Sequence, residues 1–285
     1  MGLKEEDLQT FADWGLVQIK NLIPSKVALA ARDYVYGRLS KAGLWADGRW
    51  TIAKPEVDAT WVVPDERQKK TLSGVSSSRL FKELLTPDVL ATARQFVGGD
   101  ELIPTPPYTQ FLFTPPNAHQ WRLPHSMWHI DFPRTGDVGW AGVQVFTFLQ
   151  RLEPGGGGSV MVAGSHQLLN DAGIIPSKTF RRRLARAEYF RALMDKNDSD
   201  RQRFLKEVAY INDTPLKVVE LTGKPGDVYF ADLRLLHSVA PNTANLPRMM
   251  VTQRLLRASV AEQMQDVYAT INRRRQARRE RRGKK

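Results

Sequence analysis

The chain begins in helical texture and turns to strands. In FADWGLVQIKNLIPSKVALAARDYVYGRL (Phe11–Leu39), Leu16, Val17 and Ile19 read as a short strand. Ser25 then predicts an N-cap for a helix whose apolar positions Val27, Ala30, Ala31, Tyr34 and Val35 recur at helical spacing. A second helix is expected from Thr86-Pro87, a cap followed by proline at the first helical position, to Gly98-Gly99. Between them, Trp45 to Arg79 is rich in aromatic residues, Pro and Gly, and reads as loops over a surface.

From Tyr108 onward the periodicity shortens. YTQFLF (108–113), VQVFTFL (143–149), SVMVA (159–163), LKVVEL (216–221), DVYFADL (227–233) and MMVTQRLL (249–256) are β-branched or aromatic runs between Gly/Pro turns. One helical interruption is expected from about Ser177 to Tyr210. Ser259 and Glu262 form a capping box that launches a last helix. Many short strands with turn punctuation predict a mainly β sandwich or jelly roll with flanking α-helices outside it. With no repeat or linker before the tail, residues 1–272 read as one domain with its β core at about 108–257.

Composition adds limits rather than chemistry. At 285 residues, 42% hydrophobic and 25% charged, the chain has ample material for a core. It contains no cysteine, which excludes disulfides and thiolate metal sites and fits a cytoplasmic protein. No apolar run is long enough to span a bilayer, and Met1 to Asp7 is charged, so neither a membrane span nor a secretory signal is expected. Of the net charge of +12, residues 273–285 (RRRQARRERRGKK) hold +8, leaving the rest mildly basic. This tail reads as a solvated extension of the last helix, with an adaptor for nucleic acid or membrane as the alternative. Sequence-specific nucleic-acid binding is not expected.

The candidate chemistry lies in W-H-I-D-F (Trp128–Phe132). On an extended strand, His129 and Asp131 project from one face and offer a neutral and an anionic ligand. His237, ending DVYFADLRLLH, is the natural third. Two histidines and a carboxylate on one face leave positions of an octahedral ion open, as oxygen-activating iron requires. H-x-D by itself arises often, and an ordinary His/Asp pair on a sheet accounts for it equally well. Eleven residues beyond His237, past a turn built from Ala240-Pro241-Asn242 to Pro247, stands Arg248. A hairpin would return its guanidinium beside the metal, able to grip a carboxylate with two parallel hydrogen bonds. Arg254 and Arg257 show that arginine is common here; spacing selects Arg248.

From Phe11 to about Arg257 the chain resembles the phytanoyl-CoA dioxygenase-like branch of the Fe(II)/2-oxoglutarate oxygenases. The resemblance is carried by DWGLVQIKNLIPSKV, FTPPN, WHID, VFTFLQRLEPGGGGSVMVAGSH and KPGDVYFADLRLLHSVAPN with Arg248, in that order. It implies a double-stranded β-helix, His129, Asp131 and His237 as iron ligands, and Arg248 as the 2-oxoglutarate anchor. The chain departs from the family in Ala163-Gly164-Ser165-His166, where the turn's proline is missing, and in Val239, where a hydroxyl residue is frequent. Thr114 stands where a basic residue sometimes precedes the paired prolines; Thr114, Gln110 and Thr147 are the candidates to complete the cofactor pocket. His166 is expected to fasten its turn, His125 and His119 to lie off the site, and Asp227 to be a turn residue.

The reaction so implied consumes O2 and 2-oxoglutarate, releases succinate and CO2, and hydroxylates an unactivated C–H bond of a small molecule. Asp131 favours oxygenation over halogenation, because the related halogenases lack that carboxylate. Substrate contacts are expected from Trp45–Trp61 and from Arg181, Arg182, Arg183 and Arg186, a rim suited to an acidic or amphipathic molecule. A catalytically silent metal-binding barrel acting in protein interaction is the competing reading.

Overall fold

The strands expected after Tyr108 form two antiparallel sheets in the computed structural model, which describes residues 3–60, 62–135, 140–170, 174–261, 263, 264, 269 and 273. Ahead of them come α1 (Glu5–Trp14), β1 (Leu16–Ile19), α2 (Ser25–Lys41), a small hairpin of β2 (Trp45–Ala46) and β3 (Arg49–Trp50), α3 (Glu66–Leu72), α4 (Arg79–Lys82), α5 (Pro87–Phe96) and β4 (Leu102–Pro104). There follow β5 (Gln110–Thr114), β6 (Arg134–Thr135), β7 (Gly142–Phe148), β8 (Val160–Ala163) and β9 (Ile174–Ile175). The helical insert is α6 (Ser177–Leu184), α7 (Glu188–Leu193) and α8 (Arg203–Lys206), and the chain closes its sheets with β10 (Ala209–Ile211), β11 (Thr214–Glu220), β12 (Val228–Asp232), β13 (Leu236–Ser238) and β14 (Arg248–Arg257). Among the described residues, no helix is long and apolar enough to cross a membrane.

The large sheet runs β1-β12-β7-β14-β4, with β5 also on β14; the small sheet runs β10-β11-β8-β13. The ten residues of β14 bind β7 along one edge and divide the other between β5 at their start and β4 at their end. A single antiparallel bridge, His129 to His237, extends the small sheet beyond β13. Segments thus pass between the sheets in turn: β5 in the large, His129 at the small sheet's edge, β7 in the large, β8 and β11 in the small, β12, β13 and β14 alternating again.

Three apolar layers follow from the period of two along each strand. Phe146, Phe148, Met161, Tyr229, Ala231 and Met250 fill the space between the sheets. On the large sheet's outer face, Val143, Val145, Val228 and Phe230 pack with Phe11, Val89, Ala93 and Phe96 of α1 and α5. Residues of α2 cover Phe113, Met249 and Val251. The small sheet's outer face, Val160, Val162, Leu216, Val218 and Leu236, is covered by Phe180, Leu184, Phe190 and Leu193 of the insert. Burying each such large side chain is worth roughly 1.5–3 kcal/mol, so both sets of helices are integral to the sheets they cover.

Local expectations fare unevenly. Thr86 caps α5 as expected, its hydroxyl accepting from Val89 N at 3.2 Å. Ser25 is instead the first helical residue of α2, after Pro24 at the cap, and its hydroxyl donates to Pro225 O at 3.1 Å. The stretch read as loops contains α3, started by a capping box of Asp65 and Gln68. The insert is helical as expected, in three short helices, and its expected end at Tyr210 falls in the strand β10. Ser259 gives its hydroxyl to Asp100 at 3.0 Å, while Glu262, its expected capping partner, lies outside the described residues, as does almost all of the basic tail.

The Gly-rich turn after β7 is held by a carboxylate. Glu220 accepts the Gly155 N–H with both oxygens, at 3.1 and 3.0 Å. The backbone crosses so closely that a Cβ on Gly158 would lie 2.2 Å from Leu221 O. Burial pushes the Glu220 carboxyl up to about 7, from an ordinary 4.5. Folding therefore takes up a proton: the contribution is fully present below pH 4.5 and is lost as the pH rises to about 7. Relative to Glu220→Gln, the wild type should lose stability across this window, by up to about 3 kcal/mol. Urea unfolding of both proteins between pH 4 and 8 reads this directly; a difference independent of pH would refute it.

Candidate metal centre

Trp128, Ile130 and Phe132 point into apolar clusters, which turns His129 and Asp131 to the other side. The segment is not a regular strand: its one ladder contact is the reciprocal pair His129 N–H to His237 O, 2.8 Å, and His237 N–H to His129 O, 2.9 Å. The next donor, Ile130 N–H, goes to Ser177 Oγ of the insert at 3.0 Å, which ends the pairing. Before it, Trp128 Nε1 donates to Pro124 O at 3.0 Å, and Met127 adopts φ +63°. Such a backbone costs about 1–3 kcal/mol. It turns the Met127 carbonyl to accept from His129 Nδ1 at 2.8 Å.

His237 is set in the same manner. Leu236 is buried against the insert, its N–H bound to Ser165 Oγ at 2.9 Å, and His237 Nδ1 donates to Leu235 O at 3.0 Å. Both imidazoles therefore carry their proton on Nδ1 and present an Nε2 lone pair. His129 Nε2 lies 3.5 Å from Asp131 Oδ1, and His237 Nε2 lies 3.7 Å from Asp131 Oδ2. One ligand atom from each of the three lies within 4.8 Å of the others. Adjacent ligands of an ion with bonds of ~2.1 Å stand about 3 Å apart, so a small inward movement closes the set on a divalent cation.

The electrostatics suit a cation. Burial opposes ionisation of Asp131, yet its contact with His129 and the fields of His237 and Arg254 outweigh burial and hold the carboxyl well below its usual range. Burial lowers the pKa of His237, whereas at His129 burial is outweighed by the contact with Asp131, which raises it. Asp131 Oδ2 accepts from Gln144 Nε2 at 3.0 Å, and the same nitrogen donates to Thr252 Oγ1 at 3.1 Å. Thr252 in turn donates to Val145 O at 3.0 Å, fixing the amide that orients the carboxylate.

Arg248 opens β14 opposite Thr114 in register. It is 2% exposed, and its Nε and Nη1 have no hydrogen-bond partner among the described residues, nor has Thr114 Oγ1. Burial lowers its pKa to about 10, which leaves it cationic at neutral pH. Two asparagines set this end of the site. Asn242 N–H donates to Asn117 Oδ1 at 2.7 Å, and Asn242 Nδ2 donates to Thr114 O and Leu246 O at 3.0 and 2.9 Å. They clamp FTPPN to the turn that precedes Arg248.

Of the other cofactor candidates, Gln110 stands opposite Thr252 on the site's side of β5. Thr147 is not brought to the site: it shares the outer face of β7 with Val145 and adjoins Leu84 and Val251. The inward polar residue of that strand is Gln144, which the sequence reading passed over. Its signal was parity, since VQVFTF carries two polar positions on opposite faces and only one can face the neighbouring sheet. His166 donates from Nε2 to Ala12 O at 3.1 Å and fastens its turn to α1. Gly164, at φ +85°, lets that turn pass where a Cβ would lie 1.9 Å from Pro215 O. His119 and His125 are exposed and line a cleft of about 1050 Å³ with Asp58 and Arg201. Asp227 accepts from Asn21 N and Lys224 N at 3.0 and 3.1 Å, a turn residue as expected. Arg181 donates to Trp128 O at 3.4 Å and, with Lys178 and Arg182, lines a basic hollow of about 250 Å³.

Compared whole, the chain is similar to the non-heme alpha ketoglutarate dependent carbocyclase SnoK from nogalamycin biosynthesis, with a TM-score of 0.56 and 17% identity over 90% of this chain and 85% of that one. AviO1 from Streptomyces viridochromogenes Tue57 matches at 0.52 and 19% identity, covering 90% and 97% of the two chains. EctD from S. alaskensis, in its apoform, matches at 0.52 and 17%, covering 90% and 78%. The likeness is one of fold. No family model matches the chain, and no curated protein does.

Replacing His129, Asp131 or His237 singly by Ala should weaken iron(II) binding by tenfold or more, on the order of 1.4 kcal/mol. Anaerobic titration measures it, and wild-type affinity in any one variant would remove that residue from the set. Gln144→Leu should weaken binding less, since it releases the carboxylate without deleting it.

Proposed function

We propose that this chain is an Fe(II)- and 2-oxoglutarate-dependent dioxygenase of the phytanoyl-CoA dioxygenase-like branch, which hydroxylates an unactivated C–H bond of a small molecule. The alternation of segments between the two sheets supports a double-stranded β-helix, a jelly roll of the cupin kind. His129, Asp131 and His237 would hold the iron, a set that leaves coordination positions for cosubstrate and O2.

The observation that carries the proposal is Arg248. A buried guanidinium with unmade hydrogen bonds is costly, and the cost falls when an anion binds it. It lies on the face of β14 that also holds Thr252, the residue bonded to the amide behind Asp131. A dicarboxylate held by both Arg248 and the metal would meet the charge of each, and 2-oxoglutarate has that form. The silent-barrel reading gives no reason for an empty buried cation in this place.

Each residue has a defined task. Arg248 takes the distal carboxylate through its planar fork, and the Thr114 hydroxyl beside it offers a further hydrogen bond. Met250, between Leu112 and Phe148 in register, supplies an apolar wall that keeps water from the cosubstrate's carbon chain. Gln144 and Thr252 hold Asp131. When bound, iron and 2-oxoglutarate supply activation of O2, with release of succinate and CO2.

Arg248→Lys keeps the charge and loses the fork, so 2-oxoglutarate affinity should fall about tenfold, and further in Arg248→Met, with iron affinity unchanged. Anaerobic titration of the iron-loaded protein tests this; unaltered 2-oxoglutarate binding in Arg248→Met would sink the assignment. Residues 1–272 are the proposed oxygenase unit. A chain ended after Asn272 should keep iron binding and turnover while losing salt-sensitive adsorption to polyanions. Normal iron binding with lost substrate oxidation would instead place the tail in substrate recognition.

A further inference from the structure

The turn that delivers His129 has little of its own to hold it. Between the buried residues Pro124 and Trp128, His125, Ser126 and Met127 are exposed. Such a turn keeps its shape only if it is fixed from outside, and Met127 must stay at φ +63° for its carbonyl to meet His129 Nδ1. One fixed point is Ser238, whose hydroxyl donates to Ser126 O at 2.9 Å. The other is Arg201, in the loop that joins α7 to α8.

A guanidinium has five N–H donors, and Arg201 places all of them on backbone carbonyls. Its Nε donates to Leu123 O and its Nη2 to Pro124 O, both at 2.8 Å. The same Nη2 donates to Leu193 O at 2.6 Å, while Nη1 donates to Asp195 O at 2.8 Å and to Ala192 O at 3.4 Å. These last three carbonyls lie at the end of α7, where the helix itself leaves such groups short of partners. Arg201 therefore ties the insert to the chain just ahead of the metal ligands. Arg203, two residues on, serves the loop differently: it binds Asp198 Oδ1 at 2.6 Å and lies 4.3 Å from the centre of the Phe204 ring.

The tie continues toward the metal centre through one atom. Pro124 O accepts from Arg201 Nη2 and also from Trp128 Nε1, the latter at 3.0 Å. Two donors use both lone pairs of that carbonyl, so the indole is held where the arginine holds Pro124. Trp128 is 1% exposed, and the next residue is His129. The other two ligands are set separately, Asp131 by Gln144 and His237 by Leu235 O and the pairing of β13 with β8.

We propose that Arg201 is a positioning residue of the metal centre, which holds the imidazole of His129 in place through Pro124 and Trp128. It touches neither metal nor cosubstrate. Through it, the helical insert becomes part of the centre's geometry as well as a cover for the small sheet. This rests on the reading of His129 as a metal ligand.

The test uses the full chain and cobalt(II), whose affinity and visible absorption bands both report on the ligands. Arg201→Met keeps much of the stem and loses all five donors. It should bind cobalt about tenfold more weakly, with bands moved toward those of His129→Ala. Arg201→Lys, with a donor group that lacks the fork, should fall between. Arg203→Met loosens the same loop without touching Leu123 or Pro124. It should lose thermal stability and keep cobalt affinity within about twofold of wild type. Trp128→Phe removes the indole N–H and should also weaken cobalt binding. Because the two residues act in series, Trp128→Phe combined with Arg201→Lys should bind no more weakly than the weaker single variant. Wild-type affinity and bands in Arg201→Met would overturn the proposal. So would an equal loss of cobalt in Arg203→Met, because the stability of the insert would then be the cause. Additive effects of Arg201→Lys and Trp128→Phe would overturn it too, and that pair decides alone should Arg201→Met fail to fold. A wild type that binds no cobalt would instead overturn the metal-centre reading itself, and this inference with it.

Discussion

Two reciprocal backbone hydrogen bonds, between His129 and His237, set where the chemistry of this protein can take place. They join a segment with little regular structure to the edge of the small sheet, and everything else at the site is arranged about that joint. Because the paired residues are the histidines themselves, their rings lie side by side, with centroids 4.3 Å apart. Each ring is then turned by a carbonyl two residues back in its own chain. A pairing slipped by one residue would turn His129 and Asp131 toward the insert helices and expose Trp128, while His237, held by β8, kept its place. The apolar cluster around Trp128, Ile130 and Leu236 is therefore what fixes the ligand geometry.

The large sheet supplies the other half of the site. β14 presents two arginines to the interior, one shielded from water and one partly open, with Thr252 between them linked through Gln144 to Asp131. A single strand thus carries the support of Asp131 together with one buried and one partly open arginine. The long pairing of β14 with β7, β5 and β4 gives these positions a rigid base. The Asn117–Asn242 clamp adjusts its start, because the turn carrying Asn242 leads from His237 into Arg248.

The helices act on the site from behind. The insert buries the far side of the WHID segment, and Ser177 at its start binds the backbone between the two ligands. The turn after β8 works from the other side, where Ser165 holds Leu236 and His166 anchors to α1. The missing proline of that turn leaves both attachments in place, since they depend on Ser165, His166 and the conformation of Gly164.

Much of this was legible in the residues. The six β runs after Tyr108 all became strands within a residue or two of their expected limits, because period-two burial is a local signal that a sheet on either side reinforces. His129, Asp131 and His237, which the fold brings together, and Arg248 eleven residues on were picked out by spacing and by resemblance. What escaped was whatever depends on a second element. Thr147 and Gln144 are equally polar and differ only in the face the sheet assigns them. Ser25 was free to cap α2 until Pro225 came within reach of its hydroxyl. Arg254 is one of several arginines in sequence and gains meaning only when Asp131 is folded against it. The sequence determined which side of each strand is apolar, and with it the ligand pair two residues apart. Only the tertiary structure decided which polar groups meet across the sheets, because that depends on register between segments far apart in the chain.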